Sequence, residues 1–255
     1  MWFSAINQYN NVVIDGVNVG TAVRLENWCA YLPDMVEGQE QPSSLLSADD
    51  ALNVSFLPAM KRRRLSNLSK LCLRLAHTVA PDFQGYCVFG SQHGELVTTQ
   101  ALLESIVQGE IVSPAGFSSS VHNTAVGLHS INCKNTYPCT SIAAGTDTLA
   151  MCFIEAYALL KSGEADKVLL VCADDVVPDG LASFVDNNEL RGFAAVIKKA
   201  DAKTGGTLIL SQEGKREQTE RNEAIRLVAS FLYNSEQDSV LVPGETGQWR
   251  WQYKC

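Results

Sequence analysis

Apolar residues recur every three or four positions in four segments of the chain, and this spacing predicts helices. The first segment begins at Lys61 and ends before Pro81, and the second covers residues 96–108. The third, residues 148–161, is apolar on nearly every side and carries almost no charge, which is typical of a helix inside a core. The fourth covers residues 217–233.

Short apolar runs predict strands, at residues 85–90, 137–144, 167–173, 192–198, 207–212 and 239–243. The strands at 137–144 and 167–173 flank the apolar helix, so we expect a parallel crossover unit that is buried on both faces. The runs at 192–198 and 207–212 are joined by a glycine-containing stretch, which predicts an antiparallel hairpin. The elements together indicate an α/β fold, layered helix/sheet/helix, with a mixed sheet.

The rest of the chain carries weaker patterns. The first sixty residues are predicted to be irregular, apart from a short apolar run at residues 12–14. The polar stretch around residues 37–48 indicates a surface loop. An aromatic tail, residues 249–253, follows the last predicted strand.

Composition favours one globular unit, because the 255 residues are 46% hydrophobic and 19% charged. The formal charge of −8 argues against nucleic-acid binding, and the only basic run is Lys61, Arg62, Arg63 and Arg64. No stretch approaches the roughly 20 apolar residues that span a bilayer, and residues 1–11 lack a secretory pattern. We therefore expect a cytoplasmic protein with no membrane span.

The cysteines and histidines show no metal-binding spacing. The eight cysteines lack a C-x-x-C pair, so reduced and mostly buried thiols are expected. The four histidines do not pair at helical spacing either. Asp174 and Asp175 follow a strand, where a helix cap or a turn explains them more simply than a metal ion. Neither a metal nor a cofactor is expected.

Four motifs resemble the N-terminal half of β-ketoacyl synthases. They are Lys-Arg-Arg-Arg-Leu at 61–65, Ser-Pro-x-x-Phe-Ser-x-Ser-Val-His-Asn at 113–123, Thr-Ser-Ile-Ala-Ala-Gly-Thr-Asp-Thr at 140–148 and Gly-Glu-Ala-Asp-Lys-Val-Leu-Leu-Val at 163–171. The resemblance covers roughly residues 55–212 and implies a truncated thiolase-like (ketosynthase) fold. It further implies a single domain over residues 1–255, with the first half of that fold in 1–212 and a shortened second half in 213–255.

The resemblance places the nucleophilic cysteine of the family at Thr146. A ketosynthase holds its cysteine at the positive end of a buried helix, which stabilises the thiolate. A threonine hydroxyl does not ionise there, and Asp147 adds a carboxylate beside it. Both residues suit helix capping, with Thr146 as N-cap. The histidines that the family uses for condensation are also missing, because no histidine follows residue 130. Independent condensation is therefore not expected.

A ketosynthase-like chain without these catalytic residues resembles the chain length factors of polyketide and aryl polyene pathways, which are inactive ketosynthase-like subunits. The resemblance implies a heterodimer with a full-length β-ketoacyl synthase, in polyketide, aryl polyene or fatty-acid-like chain elongation. The expected interface and tunnel residues are Phe117, Ser118, Ser120, Val121, His122, Asn123, Thr124 and Ala125. His122 is expected to form a structural hydrogen bond rather than to carry a proton.

Three further interpretations stay open at this stage. The basic run at residues 61–64 suits contact with an acyl carrier protein, or equally a solvated helix start. The chain could be a truncated acyltransferase or acyl-thioester hydrolase that uses Thr146, Thr148 or a displaced cysteine such as Cys139 or Cys152. It could also be a free-standing acyl-carrier binder.

Overall fold

The computed structural model describes residues 21–35, 44–185, 188–200, 206–214, 223–234, 237–245 and 247–254. The apolar run at residues 12–14 and most of the polar stretch at 37–48 lie outside these ranges. None of the described helices is long and apolar enough to cross a membrane.

The described strands form one eight-stranded sheet in the order β3-β2-β4-β5-β1-β6-β8-β7. The strands are β1 (Thr21–Tyr31), β2 (Tyr86–Gly90), β3 (Cys139–Ile142), β4 (Lys167–Asp174), β5 (Arg191–Lys199), β6 (Thr207–Glu213), β7 (Ser239–Pro243) and β8 (Gln248–Lys254). Strands β3, β2 and β4 are parallel to one another, whereas the other pairings between these eight strands are antiparallel. The predicted α/β class and mixed sheet are confirmed.

The α-helices among the described residues are α1 (Ala48–Ala51), α2 (Ala59–Arg62), α3 (Asn67–Val79), α4 (Leu96–Val107), α5 (Pro114–Ser119), α6 (Thr124–Cys133), α7 (Thr148–Ser162) and α8 (Ala224–Tyr233). Helices α4, α5 and α6 all lie in the long excursion between β2 and β3. This excursion begins at the carboxyl end of β2 and carries most of the predicted interface residues.

The sheet lies between two layers of helices. On one face, α7 and α8 bury a core that includes Phe153, Val228 and Trp251. On the other face, α3 and α6 bury a second core around Leu71 and Leu75. The layered helix/sheet/helix arrangement follows from the two-sided burial of β4, whose last seven residues are all buried.

The predicted parallel crossover unit forms, although its first strand, β3, is only half-buried. Helix α7 connects β3 to β4, and β2 lies between these two strands in the sheet. Gly90 at the end of β2 permits this close packing, because a Cβ atom there would overlap the sulfur of Cys152 on α7.

Three predictions about strands were wrong. The first sixty residues are not irregular throughout, because β1 is an eleven-residue strand. It lies between β5 and β6 and pairs with both, so the predicted hairpin of these two strands does not exist. The aromatic tail is also a strand, β8, which pairs with β6 and β7.

Two further predictions need correction. The helix expected from Lys61 is divided, because α2 ends at Arg62 and α3 begins only at Asn67, after the N-cap Ser66. The strand expected at residues 137–144 is shorter, and it is not buried. Strand β3 lies at the edge of the sheet and all four of its residues are half-buried.

Candidate functional site

Thr146, to which the resemblance assigns the family's nucleophile, lies in a tight turn between β3 and α7. Residues Gly145–Asp147 form a single 3₁₀ turn, and α7 begins at Thr148. The Thr148 hydroxyl closes this turn, since it donates to the Gly145 carbonyl at 2.7 Å and accepts from the Ala144 amide at 3.0 Å. The sequence prediction gave the capping role to Thr146, whereas Thr148 makes these bonds.

Thr146 binds a carboxylate from the far end of the chain. Its amide donates to Glu245 Oε1 at 2.9 Å, and its hydroxyl donates to the same oxygen at 3.0 Å. Glu245 belongs to the turn between β7 and β8, which brings it to the start of the fifteen-residue helix α7. A helix N-terminus attracts negative charge. The carboxylate of Glu245 therefore lies at the start of α7, where it receives both hydrogen bonds from Thr146.

Asp147 connects the same turn to the segment around Glu245 and Trp249. Its buried carboxylate accepts from Trp249 Nε1 at 2.8 Å and from the Glu245 amide at 3.2 Å. Asp147 is the N-cap of α7 by position, but its side chain makes no capping hydrogen bond. The expected capping role is thus replaced by a link between α7 and the β7–β8 turn.

This arrangement is poorly suited to acyl transfer. The Thr146 amide, which could stabilise an oxyanion, already donates to Glu245. A carboxylate is also a weak base toward a threonine hydroxyl, and in the described part of the chain no histidine forms a hydrogen bond with this turn. The geometry supports an anchored turn rather than a nucleophile.

A cleft of about 990 Å³ opens on another part of the molecule, between the start of α3 and helices α4, α5 and α6. It brings together two groups of residues that were predicted separately. Lys61, Arg63 and Arg64 of the basic run line it, and so do four of the predicted interface residues, Ser118, Val121, Asn123 and Thr124. Lys61 Nζ donates to Asn132 Oδ1 on α6 at 2.7 Å.

Glu95 contributes a buried carboxylate to the lining of this cleft, although the residue is only 5% exposed. Its Oε1 accepts from the hydroxyls of Ser66 and Ser69 at 2.8 and 2.6 Å, and its Oε2 accepts from Thr98 at 3.2 Å. Sequence reasoning missed this group. Glu95 follows a polar loop, and its hydroxyl partners lie on α3 and α4, so no local pattern identifies it.

The other predicted interface and carrier-contact residues lie outside the cleft lining. Phe117 is exposed on α5, and Arg62 and Ser120 are also absent from the lining. The Nε2 of His122 donates to the Ser91 carbonyl at 2.8 Å, in agreement with the structural role expected of this residue. Ala125 is only 7% exposed and packs in the core that α3 and α6 share. Its side chain therefore faces its own chain.

The excursion between β2 and β3 exposes several large apolar side chains. Helix α4 buries none of its twelve residues. Seven of the exposed apolar side chains in this part are Leu103, Ile106, Val107, Ile111, Phe117, Val121 and Ile131, and Val107 and Ile111 are 87% and 98% exposed. We call this set the apolar surface. Large exposed apolar sets are typical of protein contact sites.

The other residues considered as metal ligands or nucleophiles are the two aspartates after β4 and two cysteines. Asp174 Oδ1 accepts from Ser91 Oγ at 3.0 Å and from the Gln92 amide at 2.7 Å, which ties the end of β4 to the end of β2. Burial raises the pKa of Asp175, whose Oδ1 accepts from the Val176 amide. In the described ranges no three His, Cys, Asp or Glu residues gather as a metal site would need. Cys152 is fully buried, whereas Cys139 is half-buried on the edge strand.

Comparisons with known proteins agree with the geometry. The model of the β-ketoacyl synthase N-terminal domain matches residues 34–252. No curated protein matches the sequence.

Solved structures give a consistent fold. The complex of the ketosynthase ApeO with its chain length factor ApeC from Xenorhabdus doucetiae matches with a TM-score of 0.74 and 24% identity, over 91% of this chain and 99% of that one. The ishigamide ketosynthase/chain length factor matches with a TM-score of 0.58 and 17% identity, over 76% and 67% of the chains. A ketosynthase from module 6 of the bacillaene synthase of Bacillus subtilis 168 matches at 0.51 and 13%, over 77% and 42%. The predicted thiolase-like ketosynthase fold is confirmed.

Proposed function

This chain belongs to the family of the β-ketoacyl synthase N-terminal domain, and we propose that it is a non-catalytic, chain-length-factor-like subunit. In this proposal it pairs with an active β-ketoacyl synthase and helps to shape the acyl tunnel during polyketide or aryl polyene chain elongation. The observation that carries the proposal is the Glu245 carboxylate on Thr146, where an active synthase needs an ionised cysteine. The subunit would contribute shape and leave the chemistry to its partner.

The apolar surface supports the pairing. A lone chain gains nothing by holding Val107 and Ile111 in water, whereas burying each side chain against a partner is worth about 1.5–3 kcal/mol. Two of the similar solved structures are described as a ketosynthase with a chain length factor. We therefore assign the partner contact to α4, α5 and the loop between them, and Ala125 is no longer part of it.

The cleft supports contact with an acyl carrier protein through the assembled complex. Arg63 and Arg64 carry positive charge at its lining, and arginine pairs favourably with phosphate and carboxylate groups. Carrier proteins present both kinds of group. This contact concerns recognition alone, because the cleft contains neither Thr146 nor Asp147.

The pairing is tested by co-expression with a full-length β-ketoacyl synthase from the same organism. We expect a soluble one-to-one complex from the unchanged chain. The double substitution Val107→Glu/Ile111→Glu should weaken the complex by at least about tenfold, which corresponds to 1.4 kcal/mol. The matched control Leu241→Glu/Phe184→Glu adds the same charge at exposed apolar positions outside the apolar surface and should bind normally. Equal binding by both double variants would contradict the assigned contact.

The non-catalytic role needs a separate measurement. After incubation of the complex with an acyl-loaded carrier protein, intact mass spectrometry should find the acyl adduct on the partner and none on this chain. A stoichiometric adduct on this chain would overturn the non-catalytic role and favour the acyltransferase alternative.

A further inference from the structure

Four cationic residues lie in one line across five strands of the sheet. Lys167 on β4 is the Cα partner of Lys198 on β5, and Lys198 is also the partner of Arg24 on β1. Arg24 is paired with Thr207 on β6, and Thr207 is paired with Lys254 on β8. Directly paired residues on neighbouring strands project from the same face of a sheet. Lys167, Lys198, Arg24 and Lys254 therefore form one line, which we call the cationic row.

The cationic row lies on the face of the sheet that α3 covers, at the end where β4 begins. Leu169 on β4 and Val196 on β5 each lie two residues from a member of the row, and both pack in the core on that face. Three members of the row are exposed, and the side chain of Lys198 is 40% exposed. The row does not extend to β2 or β3, which lie on the other side of β4. A partner can therefore reach it without contacting that edge of the sheet.

Most of the positive charge in the row is not neutralised by the chain itself. Glu26 pairs with Lys198 at 2.6 Å, but in the described part of the chain the other three members form no ion pair. Lys167 instead has its Nζ 5.5 Å from the centroid of the Phe83 ring. Like charges at directly paired positions repel each other and destabilise a sheet. Their presence in a chain of net charge −8 indicates an anionic partner that compensates the repulsion.

The shape of the row identifies the kind of partner. Adjacent strands lie about 4.8 Å apart, so the row spans roughly 19 Å. Residues three or four apart on a helix are separated by about 5–6 Å, and 19 Å corresponds to about 13 residues of helix. A nucleic acid or a lipid bilayer extends well beyond this length and would meet the rest of a negatively charged chain, which repels it. A single acidic helix fits the row without that repulsion.

We propose that the cationic row is a docking surface for an acidic α-helix of a protein partner, whose carboxylates lie across β4, β5, β1, β6 and β8. On docking, Lys198 exchanges Glu26 for a carboxylate of the partner. The surface is separate from the cleft that Arg63 and Arg64 line, because no member of the row contributes to the cleft. The docking site therefore adds a second contact surface to the chain and does not depend on the pairing with a synthase.

The test measures binding of a fluorescein-labelled peptide to the full-length chain by fluorescence anisotropy, in about 50 mM NaCl, where exposed charges are weakly screened. The peptide is an alanine-rich helix of about 16 residues, with glutamate at every third or fourth position on one face. We expect it to bind, and the same peptide with glutamine in place of glutamate should not bind. Arg24→Glu/Lys254→Glu should weaken binding by at least about tenfold, and the milder Lys167→Gln/Lys254→Gln by at least about threefold.

The matched control is Arg63→Glu/Arg64→Glu, which makes the same change of charge at exposed residues of the other basic surface. It should bind the peptide within about twofold of the unchanged chain. Circular dichroism establishes that each variant is folded, and the glutamine variant decides the matter if the charge reversal disturbs the fold. Four results would overturn the proposal. They are no binding by the unchanged chain, equal losses in the row and control variants, a loss in the control alone, and tighter binding of an oligonucleotide of equal charge or of phosphatidylserine vesicles than of the peptide.

Discussion

Charge at the start of α7 shows how single residues decide what chemistry position 146 can support. The helix end favours an anion, and our prediction from the resemblance is that the family's thiolate corresponds to this place. Here Thr146 offers only neutral hydrogen-bond donors, and Glu245 supplies the negative charge from the β7–β8 turn. A cysteine restored at residue 146 would therefore meet a carboxylate, which opposes its ionisation.

We predict that Thr146→Cys alone gives a slowly reacting thiol, because Glu245 repels the thiolate and occupies the Thr146 amide. The double variant Thr146→Cys/Glu245→Gln keeps the size of the side chain and removes its charge, so its residue 146 should be alkylated several-fold faster at pH 7.5. Site-resolved mass spectrometry after a short iodoacetamide pulse measures both rates. Equal rates would show that Glu245 does not control the charge at this helix end.

His129 is a second residue whose setting has an energetic consequence. It lies buried on α6 with its ring against Phe89, and its Nδ1 lies 3.7 Å from the Cys133 sulfur. Burial lowers the pKa of His129 from 6.5 to about 4. The unfolded chain consequently takes up a proton below about pH 6.5 that the folded chain refuses until about pH 4, so stability falls as the pH decreases through this window.

We predict that His129 costs the folded chain about 3 kcal/mol between pH 6.5 and pH 4, since each pKa unit corresponds to 1.36 kcal/mol. Urea unfolding of the unchanged chain and of His129→Leu, at several pH values, measures this difference. The free energies of unfolding should differ by a constant amount above pH 7, and the variant should lose less stability on acidification. Curves that stay parallel down to pH 4 would contradict the assignment.

At the scale of elements, sequence periodicity predicted what local contacts determine. Helix α7 and strand β4 were predicted within one residue of their observed ends, because both are continuous apolar segments with clear boundaries. Strand β1 was missed because a register shift between Leu25 and Asn27 breaks its alternation, and because it carries charged residues such as Glu26, which pairs with Lys198. Its position between β5 and β6 depends on pairing across more than 160 residues, which no local pattern records.

The residues of the cleft were likewise predicted only in part, because local motifs identify segments but do not show which segments meet. The basic run and the segment at residues 117–125 were identified from motifs, but nothing in their spacing indicated that they line one cavity. Glu95 was missed for a related reason, because two of its three hydroxyl partners are distant from it in sequence. The partners are Ser66, the N-cap of α3, Ser69 on α3 and Thr98 on α4. One of these partners, Ser66, both caps α3 and donates to Glu95, so a single hydroxyl joins a helix end to the cleft.

We predict that Ser66→Ala lowers the free energy of unfolding by about 1–2 kcal/mol, because α3 loses its cap and Glu95 loses a donor. Ser66→Thr keeps both bonds and should remain close to the unchanged chain. Ser66→Asp would restore the cap but place a second carboxylate beside Glu95, so it should be no more stable than the alanine variant. Chemical denaturation of the three variants measures these differences. An aspartate variant as stable as the threonine variant would show that Glu95 lies too far away to matter.

At the scale of the whole molecule, burial is distributed unevenly. The sheet is covered by α7 and α8 on one face and by α3 and α6 on the other, and these two cores contain the largest buried side chains. The excursion between β2 and β3 instead presents the apolar surface to solvent. A single domain stays our prediction, and β7 and β8, which lie within residues 213–255, extend the common sheet.

This asymmetry predicts how the isolated chain behaves. An exposed apolar surface lowers its free energy by meeting any other apolar surface, including that of a second copy. We expect the chain expressed alone to self-associate, with a sedimentation coefficient that rises with concentration. Val107→Glu/Ile111→Glu should shift the distribution toward the monomer.

The net charge of −8 is already repulsive, so added charge could act nonspecifically. The matched variant Leu241→Glu/Phe184→Glu excludes this explanation, because it adds the same charge elsewhere and should still associate. If both variants are equally monomeric, general repulsion rather than the apolar surface governs association, and the contact assigned to α4 loses its support.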